Sequence, residues 1–192
     1  MFEINKVFNN LNYQSYFEKN NLSDLFKELN FKDDHETQDV YMNVNPDNQT
    51  PYLPEFDDLV RIHFLVSYFK SLKVLEFGVG YSTRVIAHAL KQNELMFSDK
   101  LDGIRTDKKF ILHSVDSSKK YITLTKNQID KDLLKHTVFH YSKVKTVLVN
   151  NKITTQYKKL PNFRPDFIYI DGPSQWDGIT GNINGLNTKH LD

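Results

Sequence analysis

The residues best suited to bind a ligand lie at positions 74–83, which read VLEFGVGYST. A short apolar run leads directly into Gly78 and Gly80, and the residues after the glycines have helical spacing. Glycine lets the backbone turn tightly and approach a ligand, and the first turn of a helix offers free backbone amides. The segment therefore predicts a nucleotide-binding turn between a strand and a helix, with an ordinary strand-to-helix turn as the alternative.

Two residues of this segment bear on which nucleotide such a turn would hold. A dinucleotide fingerprint requires a third glycine where this chain has Thr83, so the pyrophosphate site is incomplete. Glu76 comes two residues before the first glycine, and its carboxylate would repel phosphates but attract the cation of an aminoacyl sulfonium. The charge therefore favours a methyl donor over NAD.

The segment EFGVGYST resembles the first motif of class I S-adenosylmethionine-dependent methyltransferases, in which an acidic residue is followed by x-G-x-G. The resemblance implies that Glu76, Gly78 and Gly80 hold the methionine part of the cofactor. The neighbouring residues that it places along the cofactor pocket are Tyr81, Ser82 and Thr83. It also implies a Rossmann-like, three-layer α/β/α fold with a mostly parallel sheet, whose strand order in the family is 3-2-1-4-5-7-6.

An acidic residue, Asp116, ends the next predicted strand, ILHSVD. A carboxylate at the end of this strand can accept hydrogen bonds from both hydroxyls of a ribose, and the same family places its ribose-binding acid there. Ser117, the next residue, is also predicted to bind the cofactor. The alternative role for Asp116 is to cap the following helix. The family often contacts the adenine just past the third strand, where this chain has Ser142.

The segment DFIYIDGPSQW is an apolar strand that ends in an acid and a glycine. It resembles the fourth strand of small-molecule O-methyltransferases, many of which read IDG at this point. Asp171 is predicted to orient a substrate hydroxyl or to act as its base, and Asp171 and Gly172 to contact the cofactor. Capping of the next turn is the alternative for Asp171. Some metal-dependent members have an acid or histidine directly after IDG, where this chain has Pro173 and Ser174, so no catalytic metal is expected.

The elements that must position these residues alternate between strands and helices, as in an α/β protein with a parallel sheet. The predicted strands are residues 73–77, 110–115, 137–141 and 166–170, and the helices between them are residues 82–91 and 119–132. Two β-forming runs around Asn150 and Asn151 predict a hairpin. The polar residues 93–107 are predicted to form a surface insertion.

The chain is predicted to have two parts, residues 1–54 and residues 55–192. The first is an N-terminal helical extension with two short helices, followed by a polar loop. Residues 41–52 of this loop, which begin and end with a tyrosine, are a candidate substrate lid. The second opens with an amphipathic helix and carries the predicted cofactor site. It is expected to be C-terminally incomplete, which would leave the fourth strand as an exposed edge open to homo-oligomer formation.

Composition limits the classes of partner. The 192 residues carry a net charge of +1 without a block of like charges, so no nucleic acid and no membrane surface are expected as partners. The longest apolar runs are shorter than the roughly 20 residues that cross a bilayer. The chain contains no cysteine, which fits a reducing compartment, and a cytoplasmic location is expected.

These observations together predict an S-adenosylmethionine-dependent methyltransferase that methylates an oxygen of a small molecule or sugar. One alternative is an NAD-dependent Rossmann oxidoreductase, which Thr83 and Glu76 disfavour. Another is a degenerate, non-catalytic domain that binds a cofactor or a partner protein.

Overall fold

A computed structural model describes residues 8, 10–26, 54–101, 103, 108–150 and 152–173 of the chain. The predicted lid at residues 41–52 and part of the predicted insertion lie outside the described residues. The chain divides into two compact units, Met1–Arg61 and Ile62–Asp192. The boundary between these units falls inside a helix, and the predicted division at residue 54 stays a prediction.

The first unit contains the two short helical segments that the sequence predicts. They are helix α1 (Tyr13–Lys19) and a 3₁₀ turn (Leu22–Phe26). The Asn12 side chain accepts a hydrogen bond of 2.9 Å from the Ser15 amide and so caps the start of α1. The ring of Phe17 packs against Phe56 with 4.8 Å between the ring centres, which anchors α1 to the start of the next helix.

Helix α2 (Phe56–Tyr68) crosses the boundary between the units, and the second unit continues with alternating strands and helices. The strands are β1 (Lys73–Phe77), β2 (Ile111–Asp116), β3 (Thr137–Tyr141), β4 (Val144–Val149), β5 (Lys152–Tyr157) and β6 (Phe167–Ile170). The helical segments are α3 (Tyr81–Phe97), a 3₁₀ turn (Ser98–Lys100), α4 (Lys119–Gln128) and α5 (Lys131–Leu134).

Two predicted helix boundaries are wrong. Helix α3 extends to Phe97, so the first residues of the predicted insertion are helical. Within this extension Asn93 is buried and donates hydrogen bonds of 3.1 Å to the carbonyls of Val66 and Ser71, so it is a core residue rather than a surface one. The predicted helix 119–132 is split into α4 and α5 because Ile129 adopts an extended conformation between them.

The sheet of the second unit consists of parallel strands in the order β3-β2-β1-β6. Leu75 of β1 lies opposite His113 of β2 on one side and Ile168 of β6 on the other. Strands β4 and β5 form the predicted hairpin and pair antiparallel with each other. The α/β class predicted from the sequence is therefore confirmed.

Different elements pack on the two faces of the sheet. Helix α4 lies on one face, where the Lys126 ammonium is 5.2 Å from the ring centre of Phe139. On the opposite face, Leu75 and Val115 form a buried cluster with Tyr157 of the hairpin. Among the described residues, the hairpin thus occupies the connection between β3 and β6, where parallel strands usually use a helix. A second helical layer stays a prediction.

Within the described ranges, β6 is an edge strand that pairs only with β1. Its side chains Ile168 and Ile170 are 54% and 71% exposed. Pairing of this edge with a second copy of the chain stays a prediction. No helix within the described ranges is long and apolar enough to cross a membrane.

Candidate functional site

The centre of the candidate site is the point where β1 and β6 end side by side. Gly78 follows β1 with a φ of +94°, a conformation that favours glycine. A Cβ atom at this position would lie 2.9 Å from the carbonyl carbon of Asp171, so the backbones approach too closely for any side chain. Gly78 is therefore required by the fold itself, in addition to any role beside a ligand.

The backbone after Gly78 forms a turn whose amides are held in place. The Val79 amide donates a hydrogen bond of 2.9 Å to Oδ2 of Asp116, and the Gly80 amide donates one of 3.0 Å to Oγ1 of Thr83. A Cβ atom built on Gly80 would meet nothing within 4 Å. The turn thus runs from a strand into helix α3, and it leaves open space over Gly80.

Glu76 lies beneath this turn and is 0% exposed. Ser82 donates a hydrogen bond of 2.7 Å to its Oε1. Thr83 and Ser114 donate hydrogen bonds of 2.8 and 2.6 Å to its Oε2. Thr83 therefore links the carboxylate to the Gly80 amide, which explains a hydroxyl residue at the position where a dinucleotide site has glycine.

Burial raises the pKa of Glu76 to about 7, the three hydroxyl hydrogen bonds oppose this, and the negative charge of Asp171 adds to it. Because both carboxylate oxygens are occupied, Glu76 holds the glycine turn from inside the protein. Direct contact of Glu76 with a ligand, like the cofactor contacts of its neighbours Ser82 and Thr83, stays a prediction.

Asp116 joins the glycine turn to the start of helix α4. Its Oδ1 accepts a hydrogen bond of 2.6 Å from the Ser118 amide, while its Oδ2 accepts from Val79. The helix cap is Ser118, whose hydroxyl accepts from the Tyr121 amide at 3.2 Å. The contact of Asp116 with a ribose stays a prediction, as does the contact of the partly exposed Ser117.

Ser142 connects the end of β3 to the base of the hairpin. Its amide donates a hydrogen bond of 2.9 Å to the Asp116 carbonyl, and its buried hydroxyl accepts one of 2.9 Å from the Lys159 amide. The predicted contact of Ser142 with an adenine would therefore use a hydroxyl that already accepts a hydrogen bond from Lys159. Tyr81, at the first position of α3, has the guanidinium of Arg84 at 5.2 Å from its ring centre.

Asp171 and Gly172 form the β6 side of the junction. The Asp171 amide donates a hydrogen bond of 2.8 Å to the Phe77 carbonyl, and its side chain is exposed. A Cβ atom on Gly172 would lie 3.1 Å from the Cα atom of Gly78 and 3.2 Å from the hydroxyl of Tyr157. Tyr157 comes from β5 and stacks on Phe77, and no sequence motif pointed to it. Only the path of the hairpin across the sheet brings Tyr157 here.

Two histidine pairs lie away from this junction. The ring nitrogens of His63 and His88 are 3.0 Å apart, and burial together with His88 lowers the pKa of His63 to about 3. The ring nitrogens of His113 and His140 are 2.9 Å apart, and burial is the main cause that lowers the pKa of His113 to about 4. Within the described ranges no three His, Cys, Asp or Glu side chains are grouped to hold a metal ion.

No family model matches the chain, and no curated protein or solved structure matches it. The functional argument therefore depends on the arrangement of the residues at the junction.

Proposed function

We propose that the chain binds S-adenosylmethionine at the turn formed by Gly78, Val79 and Gly80, and that it is a class I methyltransferase with a Rossmann-like fold. The observation that carries the proposal is the position of this turn. It links a central parallel strand to a helix, and it lies above a buried acid, Glu76, and beside a second acid, Asp116.

The topology of the sheet supports this location. Strand β1 pairs with β2 on one side and with β6 on the other, so the order of the strands reverses next to β1. In open α/β sheets, ligands bind outside the carboxyl ends of the strands at such a switch point. The contact between Gly78 and Gly172 lies at this point, and it brings two backbones together with no side chain between them.

Charge supports a cationic ligand over a dinucleotide. Three carboxyl groups, those of Glu76, Asp116 and Asp171, are held by the ends of adjacent strands. A pyrophosphate placed there would be repelled by the carboxylates of Asp116 and Asp171, and by Glu76 when it is ionised, whereas a sulfonium and an amino group would be attracted. The NAD-dependent alternative therefore has less support.

The proposed reaction transfers the methyl group to an oxygen of a small molecule or sugar. The cofactor supplies a methyl carbon that is already activated, so the protein mainly has to align the two reactants and exclude water. The exposed carboxylate of Asp171 stands beside the glycine turn, where it can accept the proton of the acceptor hydroxyl.

Thermal unfolding in the presence of each ligand tests the choice of cofactor. We expect S-adenosylhomocysteine to raise the Tm, because a ligand at a hundred times its Kd stabilises the folded state by about 2.7 kcal/mol. NAD at the same concentration should leave the Tm unchanged. A shift with NAD alone would support the oxidoreductase instead, and no shift with either ligand would support a domain that has lost its cofactor site.

A further inference from the structure

The outer face of the hairpin formed by β4 and β5 is strongly cationic. Val144 and Tyr157 point towards the sheet and belong to its core cluster, so the residues that alternate with them point outwards. The lysines at these outward positions, all exposed, are Lys143, Lys145, Lys152 and Lys158. The remaining outward positions are Thr154 and Gln156, which are exposed, and Val147 and Val149, of which Val149 is 50% exposed.

No carboxylate lies close in sequence to offset these charges. The chain has no Asp or Glu between Asp132 and Asp166, and the exposed Lys159 and Arg164 add to the positive charge. Within the described ranges, none of the hairpin lysines forms an ion pair with an acid. The result is a local positive field in a chain whose net charge is only +1.

The arrangement also carries an energetic cost. The Lys158 amide donates a hydrogen bond of 2.8 Å to the Lys143 carbonyl, so the two lysines lie directly opposite each other on the hairpin. Like charges in this position destabilise a sheet. A bound polyanion relieves that repulsion.

We propose that this outer face binds the phosphate backbone of duplex DNA. A two-stranded ribbon fits the major groove of B-form DNA. Lys143 and Lys145 lie two residues apart on one strand, about 7 Å, and Lys158 lies opposite Lys143, so these three lysines can contact neighbouring phosphates. Gln156 adds a neutral donor of the kind that contacts phosphates. The outer face carries no aromatic side chain for stacking single-stranded bases.

This inference departs from the expectation, drawn from net charge, that nucleic acid is not a partner. Net charge sums over the whole chain, whereas the hairpin brings lysines from two separate strands onto one face. The base of the hairpin adjoins the candidate site, since Lys143 follows Ser142 and Lys158 follows Tyr157. The proposed binding of DNA to the outer face nevertheless does not depend on the proposed methyl transfer.

Fluorescence anisotropy with a labelled DNA duplex over a series of salt concentrations tests the surface. The full chain should bind the duplex at low salt, with an affinity that falls steeply as salt rises. The variant with Lys143→Gln, Lys145→Gln and Lys152→Gln should bind about tenfold more weakly, and its salt slope should be smaller by about three. The matched control, with Lys19→Gln, Lys120→Gln and Lys131→Gln, removes the same charge elsewhere and should bind like the parent chain.

Three results would contradict duplex binding by the outer face: no binding of the duplex at low salt, equal weakening in the two triple variants, or tighter binding to the single strand or to phosphatidylserine vesicles. Circular dichroism of each variant confirms that the fold is retained. Titration of S-adenosylhomocysteine into the same preparations reports on the proposed cofactor site separately, so either proposal can fail while the other stands.

Discussion

Replacing Gly78 with alanine is expected to destabilise the second unit by about 3 kcal/mol or more, while Gly80→Ala changes its stability by less than about 1 kcal/mol. The Gly78 backbone has a φ of +94°, and a Cβ atom there would overlap the backbone of Asp171. Strand β6 would have to move away from β1 to accommodate it. At Gly80, the same methyl group would enter open space.

Urea denaturation of the parent chain and both variants measures this difference. The two glycines lie two residues apart in one turn, so Gly80→Ala controls for the general loss of glycine flexibility there. If both variants were equally stable, the close approach of Gly78 to Asp171 would not exist in the protein, and the proposed switch point would lose its geometry.

Glu76→Gln is expected to remove a large pH dependence of stability. The pKa of Glu76 is raised from 4.5 to about 7 in the folded chain, so the folded state binds this proton more tightly than the unfolded state. The associated stability is fully present below pH 4.5 and is lost as the pH rises through 7, a loss of roughly 3 kcal/mol. Glutamine resembles the neutral acid, so the variant should become more stable than the parent chain as the pH rises.

The free energy of unfolding of both chains, measured at several pH values, checks this result. The lowered pKa values of His63 and His113 act in the opposite direction, since their contribution is present above about pH 6.5 and lost as the pH falls. They are common to both chains and cancel in the difference. As a further control, Asp171→Asn should shift the Glu76 transition to lower pH, because it removes a neighbouring negative charge. A difference that does not change with pH would contradict a buried, protonatable Glu76.

The order of strands and helices could be predicted because parallel strands buried on both faces leave a plain signal. Strand β1, for example, is a short apolar run that ends at a glycine. The predicted bounds of β1 and β3 are those of the structure, and the Asn pair after β4 marked the hairpin turn.

The internal partners of the site could not be predicted, because they depend on the register between strands. Ser114 reaches Glu76 only because β2 pairs with β1 in a register that sets these two residues opposite each other. Tyr157 reaches Gly172 only because the hairpin folds back across the sheet. Asn93 belongs to the predicted surface insertion, although its amide donates to the carbonyls of two buried residues, Val66 and Ser71.

The most direct test of the account is calorimetric titration of S-adenosylhomocysteine into the parent chain and into Gly80→Leu. The leucine Cβ atom would meet nothing within 4 Å, so the side chain can start from this position and extend over the turn. We expect saturable binding to the parent chain and no measurable binding to the variant, with the variant still folded. An absence of binding to the parent chain, or equal affinity for both chains, would contradict a cofactor site at the glycine turn.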